Sequence, residues 1–390
     1  MANALSWLWK QRDASADYVT VHTTVGWSGH PLSDIDKAGG KRAYAASLSE
    51  ARAYSTLAKQ SGKSFGYGGI IVTHGESDSS NATYGSRLYQ LQQDYNTELK
   101  AITGQTSEVV MLVSQQSTQA TGSNGSAAQV FLQGRMHPGQ LICTGPKYQY
   151  QYAPDKTHLQ AGGYRRLGEK YAEVLDLAVD QKLAWQPLGP TSAKRTGNVI
   201  EVAFHVPNPP LVWNEQMQPA HQTMHTEWAA GRGFEVVTDS GQSLAIQSAQ
   251  IQGTSVMLTL KDPVAAGAAV TVRYAITQDG GGSQGGDPKG LRGQLRDSDP
   301  FLGGDAETIT TVVQQGSRTV KSATPGAFKR RTAFDILSQD GKDLPTIVSS
   351  HDSDDQLTLS TPWPGQGGSA QLTFRYDLYN YCVHFSQKAD

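Results

Sequence analysis

The chain has 390 residues, which is enough for two or three domains of ordinary size. Its 33 basic and 35 acidic side chains leave a net charge of −2, and this balance argues against nucleic-acid and membrane partners. No apolar run approaches the roughly 18 residues that a membrane-spanning helix needs. Residues 1–17 lack the charged-then-apolar order of a secretion signal, and two cysteines cannot form a disulfide framework. We therefore expect a soluble protein with a small neutral or polar ligand, while its localisation and oligomeric state stay open; secretion is compatible with an N-terminally shortened chain.

From residue 17 to about residue 181, short β-rich runs alternate with amphipathic runs. The pattern predicts strands at 17–25, 68–74, 108–115 and 140–145, and helices at about 47–62, 84–102, 127–136 and 162–180. Such alternation is typical of βαβ units around a parallel sheet, which binds ligands at the carboxyl ends of its strands. We predict an α/β domain over residues 1–188.

The remainder of the chain contains alternating apolar and polar residues between turn signals, and no convincing helix. This pattern predicts two β-sandwich modules, at 195–278 and 290–390, joined by a glycine-rich stretch. The two blocks resemble each other at an offset of about one hundred residues. Recurring matches include Phe234-Glu235-Val236 with Phe334-Asp335-Ile336, and Arg273-Tyr274 with Arg375-Tyr376. Two halves of one larger β unit would explain the same repeat.

Two short motifs follow predicted strands of the α/β domain. Gly75-Glu76-Ser77-Asp78 comes after the run at 68–74, and Asp155 precedes His158 by three positions. A carboxylate can hold an imidazole by one ring nitrogen and present the other as a base. Each motif alone also fits an ordinary helix start with capping residues and a solvated histidine.

Together and in this order, the motifs resemble those of the SGNH hydrolases, in particular the carbohydrate-esterase branch with sialate O-acetylesterases and acetyl xylan esterases. The resemblance covers about Val19 to Val179. The stretch 25–39 resembles the family's glycine block, in which Gly29 corresponds to the residue whose backbone N–H helps form the oxyanion hole. The resemblance implies a flavodoxin-like α/β fold with a parallel sheet.

Two features depart from the family pattern. His74 stands where an amide side chain usually donates to the oxyanion, and a neutral imidazole N–H could take that role. The block that carries the nucleophilic serine should lie many tens of residues before the glycine block, and only about twenty-five residues precede it here. Three explanations stay open: a shortened chain, Ser28 as the nucleophile on a glycine-flanked turn, or a non-catalytic binding protein. A shortened chain needs another segment, such as Ala4–Trp9, or a second copy to fill the slot of the missing central strand.

The resemblance implies hydrolysis of an ester, most simply an O-acetyl group or another short acyl group on a carbohydrate. His158 would be the general base and Asp155 would orient it, with Ser28 as the candidate nucleophile. Gly29 and His74 would meet the oxyanion, while Glu76 and Asp78 would hold their loop by hydrogen bonds. This chemistry requires no metal and no organic cofactor. The partner would be a carbohydrate or small acyl ester, and the alternative function is non-catalytic carbohydrate binding.

Overall fold

A computed structural model describes residues 1–15, 19–39, 42–118, 125–215, 217–265, 267–279, 290–299, 306–329, 331, 335–376 and 378–390. Phe334 of the internal repeat and most of the glycine-rich stretch lie outside the described residues. The described part combines a parallel sheet and its helices with several antiparallel sheets and a closed barrel. The fold is therefore mixed α/β with a large β content.

The N-terminal part contains six α-helices and three strands among the described residues, and a π-helix, Asp176–Asp180, follows the last α-helix. The helices are α1 (Ala2–Arg12), α2 (Leu32–Ile35), α3 (Arg42–Gln60), α4 (Tyr84–Thr103), α5 (Ser126–Met136) and α6 (Ala161–Leu175). The strands are β1 (Gly69–Val72), β2 (Val110–Gln115) and β3 (Leu141–Pro146). The helices predicted at 47–62, 84–102, 127–136 and 162–180 correspond to α3 to α6, and three predicted strands correspond to β1 to β3.

The strands run parallel in the order β1-β2-β3, and β2 is central. Alternate residues of β2 point to opposite faces, as the period of a strand requires. Met111 and Val113 join the core formed with α3, α4 and α5, whereas Val110 and Leu112 join the core formed with α1 and α6. Helices therefore cover both faces of this sheet. Three strands do not establish the flavodoxin-like order, which stays a prediction.

The N-terminal segment differs from its prediction. Residues 19–25, expected as a strand, have no regular secondary structure in their described form. Val19 is 80% exposed and Val21 47% exposed, and within the described part of the chain no sheet includes this segment. A strand needs a pairing partner as well as an alternating pattern. Ala4–Trp9, considered as filler for a strand slot, belongs to helix α1. Leu5 of α1 packs in the core that includes α6, and Arg12 forms an ion pair of 2.6 Å with Asp176, which directly follows α6.

The first antiparallel unit is built from two sheets that share one core. One sheet has the order β4-β5-β9-β8 and the other has the order β18-β10-β7. The strands are β4 (Gly189–Thr196), β5 (Val199–His205), β6 (Val212–Trp213), β7 (Phe234–Thr238), β8 (Ile246–Gln252), β9 (Ser255–Leu260), β10 (Val270–Tyr274), β11 (Leu295–Arg296) and β18 (Phe385–Ala389), with β6 and β11 as a separate pair. Val202 of β5 and Val272 of β10 are completely buried in the shared core.

The second antiparallel unit is a closed six-stranded barrel with the order β12-β13-β16-β15-β14-β17. Its strands are β12 (Glu307–Val313), β13 (Thr319–Ser322), β14 (Ile336–Gln339), β15 (Lys342–Ser353), β16 (Gln356–Leu359) and β17 (Gly368–Arg375). Pairing of β17 with both β12 and β14 closes the ring, which leaves no strand edge open. The barrel has its own core, which includes Leu337, Leu357 and Phe374.

The strand pairing differs from the prediction of two related sandwich modules. The block predicted at 290–390 contains a barrel, and its last strand leaves that block because Phe385 pairs with Tyr274 of β10. The C-terminal residues thus complete the first unit, predicted at 195–278. The pairing arises between strands more than one hundred residues apart, so no local pattern encodes it. The exact domain boundaries stay predictions.

Helix α6 connects the two β units to the α/β region through buried charges. Arg166, 4% exposed, forms an ion pair with the completely buried Asp335. Lys170 Nζ lies 2.5 Å from Glu173 Oε2 and 3.0 Å from Asn380 Oδ1, and Asp299 lies 3.5 Å from the same ammonium. Buried charges need such partners, and the contacts with Asp335, Asn380 and Asp299 fix α6 against the β-structure.

Candidate functional site

The motif after β1 forms a tight loop at the carboxyl end of the parallel sheet. Gly75 has a φ of +130°, and a Cβ atom there would lie 2.9 Å from Gln116 Oε1. Only glycine adopts this backbone conformation without strain. The next residues, Glu76–Asp78, form a single 3₁₀ turn that directs their side chains to different neighbours.

Three hydrogen bonds join this loop to the glycine block. Ser77 Oγ donates to Gly29 O at 3.2 Å, and the backbone N–H of Leu32 donates to Asp78 Oδ2 at 2.6 Å. His74 Nε2 lies 2.8 Å from His30 O. The structure therefore brings together the two sequence blocks around residues 28–32 and 74–78, which we call the loop corner.

His74 is held at both ring nitrogens. Because a carbonyl oxygen only accepts, the 2.8 Å contact with His30 O requires a proton on Nε2. Nδ1 lies 3.2 Å from the hydroxyl of the completely buried Tyr84. This arrangement differs from the expected role of His74 at the oxyanion, because an oxyanion would have to displace the carbonyl of His30 from Nε2.

Ser28 and Gly29 lie on an exposed turn. Gly29 has a φ of +76°, and nothing lies within 4 Å of the position that a Cβ would take. The neighbouring Trp27 stacks on the imidazole of His30 with 3.5 Å between ring centroids, and His30 Nδ1 lies 2.9 Å from Asp34 Oδ2. The turn is thus accessible and is flanked by an aromatic side chain that is 38% exposed.

Glu76 and Asp78 make the contacts of loop-holding side chains. Glu76 Oε1 lies 2.5 Å from Lys147 Nζ. Burial raises the pKa of Glu76, but the Lys147 ammonium outweighs it and leaves this pKa below its ordinary value. Asp78, 7% exposed, also accepts a hydrogen bond from Asn81 Nδ2 at 2.8 Å. Both carboxylates are therefore occupied by fixed donors.

Asp155 and His158 form a hydrogen-bonded pair on a turn after β3. His158 Nδ1 lies 2.8 Å from Asp155 Oδ2, and the backbone N–H of His158 donates to Asp155 Oδ1 at 3.0 Å. Backbone donors from His158 and Thr157, with the His158 side chain, lower the pKa of Asp155 to about 2. The His158 side chain is 57% exposed and the Asp155 side chain is 52% exposed. Since Asp155 holds Nδ1, Nε2 is the nitrogen that can accept a proton from a substrate group.

The structure thus gives two clusters: the loop corner and the Asp155–His158 pair. Among the contacts of the described residues, none joins His158 to Ser28, Gly29 or His74. Within the same residues, no group of three His, Cys, Asp or Glu side chains is placed to hold a metal ion, and no helix is both long and apolar enough to cross a bilayer.

Sequence analysis missed a buried polar run at the end of β2. Residues 114–118, with the sequence SQQST, are completely buried. Ser117 Oγ lies 2.8 Å from Nε2 of His384, a residue that precedes β18. Lys147, the partner of Glu76, was also missed. The abrupt change from apolar to polar residues after Val113 could have indicated this polar run. No local pattern, however, indicates that the partner of Ser117 is His384, 267 positions away.

Comparisons with known proteins give limited similarity. Residues 218–279 match a family described as "Putative flagellar system-associated repeat". No curated protein sequence matches the chain. Among solved structures, a carbohydrate acetylesterase from Xanthomonas citri is 14% identical with a TM-score of 0.36, over 58% of this chain and 47% of that one. The N-terminal part of the bacterial S-layer protein SbsC is 12% identical with a TM-score of 0.18, over 75% and 58%. The chain thus spans about half the length of these two proteins.

Proposed function

We propose that this protein is a serine esterase of the SGNH type that hydrolyses O-acetyl or other short acyl esters, with a carbohydrate as the substrate. The observation that carries the proposal is the exposed Asp155–His158 pair, in which a carboxylate 2.8 Å from Nδ1 presents Nε2 to solvent. An accessible imidazole fixed in this way is the arrangement of a general base.

The proposed reaction proceeds through an acyl-enzyme. Nε2 of His158 takes the proton of the Ser28 hydroxyl while Ser28 Oγ attacks the ester carbonyl, and Asp155 stabilises the imidazolium. The N–H of Gly29 meets the oxyanion, with His74 as a second donor if His30 O releases it. His158 then returns the proton to the leaving sugar oxygen, and water, activated by the same nitrogen, cleaves the acyl-serine ester and restores the serine. The mechanism requires Ser28 Oγ and His158 Nε2 to come within hydrogen-bond distance once substrate is bound.

The second candidate is a carbohydrate-binding protein without catalysis. It is favoured by the absence, in the described contacts, of any bond between the loop corner and His158. Trp27, exposed and stacked on His30 beside Ser28, offers an apolar face of the kind that sugars pack on. In this case the loop corner would bind sugar without bond cleavage.

Hydrolysis of p-nitrophenyl acetate by the wild type, Ser28→Ala and His158→Ala separates the two functions. We expect both variants to lose activity, since each removes one partner of the proton transfer. His351→Ala, a change in β15 of the barrel, serves as the control and should retain wild-type activity. Loss with His158→Ala alone would exclude Ser28 as the nucleophile. An inactive wild type that still binds acetylated oligosaccharide would refute the esterase function and support the binding function.

A further inference from the structure

A chain of buried hydrogen bonds links the first β unit to the loop corner. It begins at Ala275 O, which lies 2.6 Å from Nδ1 of His384. Nε2 of the same ring lies 2.8 Å from Ser117 Oγ at the end of β2. His384 and Ser117 are 1% and 0% exposed, so water cannot replace either bond.

The geometry fixes the direction of these bonds. A carbonyl oxygen only accepts, so Nδ1 of His384 carries the proton and donates to Ala275 O. Burial lowers the pKa of His384 to about 4, which leaves the ring neutral near pH 7 and Nε2 as an acceptor. The hydroxyl of Ser117 therefore donates to Nε2, and its oxygen is available to accept.

The chain continues from Ser117 to the loop corner. The backbone N–H of Lys147 donates to Ser117 Oγ at 3.1 Å. The Lys147 ammonium, 5% exposed, lies 2.5 Å from Glu76 Oε1. Glu76 opens the turn whose next two residues hold Gly29 and Leu32. Four successive contacts thus run from Ala275, directly after β10, to Glu76. The bond from Ser77 Oγ to Gly29 O then joins the turn of Glu76 to the turn that carries Ser28.

A serine 2.8 Å from an imidazole held by a third group has the form of a nucleophile–base pair. Burial argues against that role, because a substrate cannot reach a completely buried hydroxyl. The backbone of His384 is also clamped by Gln115, whose Oε1 accepts from His384 N at 2.9 Å and whose Nε2 donates to His384 O at 3.0 Å. Since both the backbone and the ring of His384 are held by hydrogen bonds, the ring can hold Ser117 in place.

We propose that His384 is a positioning residue for the loop corner, acting through Ser117 and Lys147 on Glu76. The β unit that contributes His384 is then an integral part of the candidate site. The kinetic part of this inference rests on the proposed esterase function, and the structural part does not.

Two substitutions of His384 separate the bonds of its ring. His384→Gln places an amide near the position of Nε2, so its oxygen can accept from Ser117. His384→Asn places an amide near the position of Nδ1, so it can donate to Ala275 O but cannot reach Ser117. We expect the backbone amide of Lys147 to exchange with solvent about 10-fold faster in His384→Asn and within about twofold of wild type in His384→Gln. For p-nitrophenyl acetate we expect kcat to fall about 10-fold in His384→Asn with KM nearly unchanged, and to recover in His384→Gln.

The control is His351→Asn in the barrel, where His351 is 22% exposed, and it should leave the exchange of the Lys147 amide unchanged. If His384→Asn fails to fold, Ser117→Ala removes the middle of the same chain and should accelerate the same amide. Unchanged exchange at Lys147 in His384→Asn or Ser117→Ala would overturn the inference, as would equal losses of kcat in His384→Gln and His384→Asn. An inactive wild type would refute the esterase function alone, because hydrogen exchange would still decide the role of His384.

Discussion

Replacement of Glu173 by glutamine should change how the stability of the protein depends on pH. Glu173, 6% exposed on α6, faces Lys170 of its own helix and Asp299 of the segment after β11, and Asp297 acts electrostatically on Lys170. Burial first, and then Asp299, raise the pKa of Glu173 to about 8 from an ordinary 4.5, against the opposing pull of Lys170. The folded protein therefore keeps a proton on Glu173 that the unfolded chain has lost over this pH range.

The sign follows from proton linkage. A carboxyl with a raised pKa in the folded state contributes stability fully below pH 4.5, and that contribution is lost as the pH rises to about 8. The unfolding equilibrium constant increases by at most about tenfold per pH unit in this interval, which limits the whole effect to roughly 5 kcal/mol. Glutamine keeps the shape of the side chain and does not titrate, so Glu173→Gln should lack this loss.

Urea unfolding followed by tryptophan fluorescence at pH 5, 6, 7 and 8 measures the effect. We expect the free energy of unfolding of the wild type to fall relative to that of Glu173→Gln across the series. Glu215→Gln, at a side chain that is 67% exposed, is the control and should follow the wild type. Parallel curves for the wild type and Glu173→Gln would refute a protonated Glu173 in this interface.

Three further substitutions test the site and its support. Asp155→Asn should reduce esterase activity about 100-fold, because the amide cannot stabilise the His158 imidazolium; equal kcat in both proteins would contradict this. Gly75→Ala should cost roughly 1–3 kcal/mol in urea unfolding, since φ is +130° and Gln116 blocks the new methyl group, whereas Gly139→Ala, with φ +75° and open space, should cost less. Arg166→Met should cost roughly 3–5 kcal/mol, because it removes an ionic partner of the completely buried Asp335. Adding Asp335→Leu should recover part of that loss, and no recovery would argue against a charge effect.

Local patterns in the sequence predicted the central part of the fold. The alternation of Val110, Met111, Leu112 and Val113 between two helix layers follows directly from the period of a strand. The bond between Asp155 and His158 was predicted for a similar reason, since three positions on one turn bring the two side chains within reach. Features that depend on a few neighbouring residues could therefore be predicted from the sequence.

Pairing between residues far apart in the sequence could not be predicted from local patterns. Residues 19–25 have the alternation of a strand, yet a strand also needs a partner, and the sequence does not say whether one is present. Phe385 pairs with Tyr274, and His384 reaches Ser117, through contacts that only the assembled fold creates. The bond between His74 and His30 O depends on how two loops meet in the fold. The sequence does not show this contact, and the expectation that His74 faces an oxyanion therefore did not take it into account.

The central claim is that Ser28 becomes acylated with His158 as its base. A fluorophosphonate reacts with an activated serine, and digestion followed by mass spectrometry identifies the labelled residue. We predict label on Ser28 in the wild type and in His351→Ala, and little label in His158→Ala. Label on a different serine, or equal labelling of Ser28 with and without His158, would contradict the account.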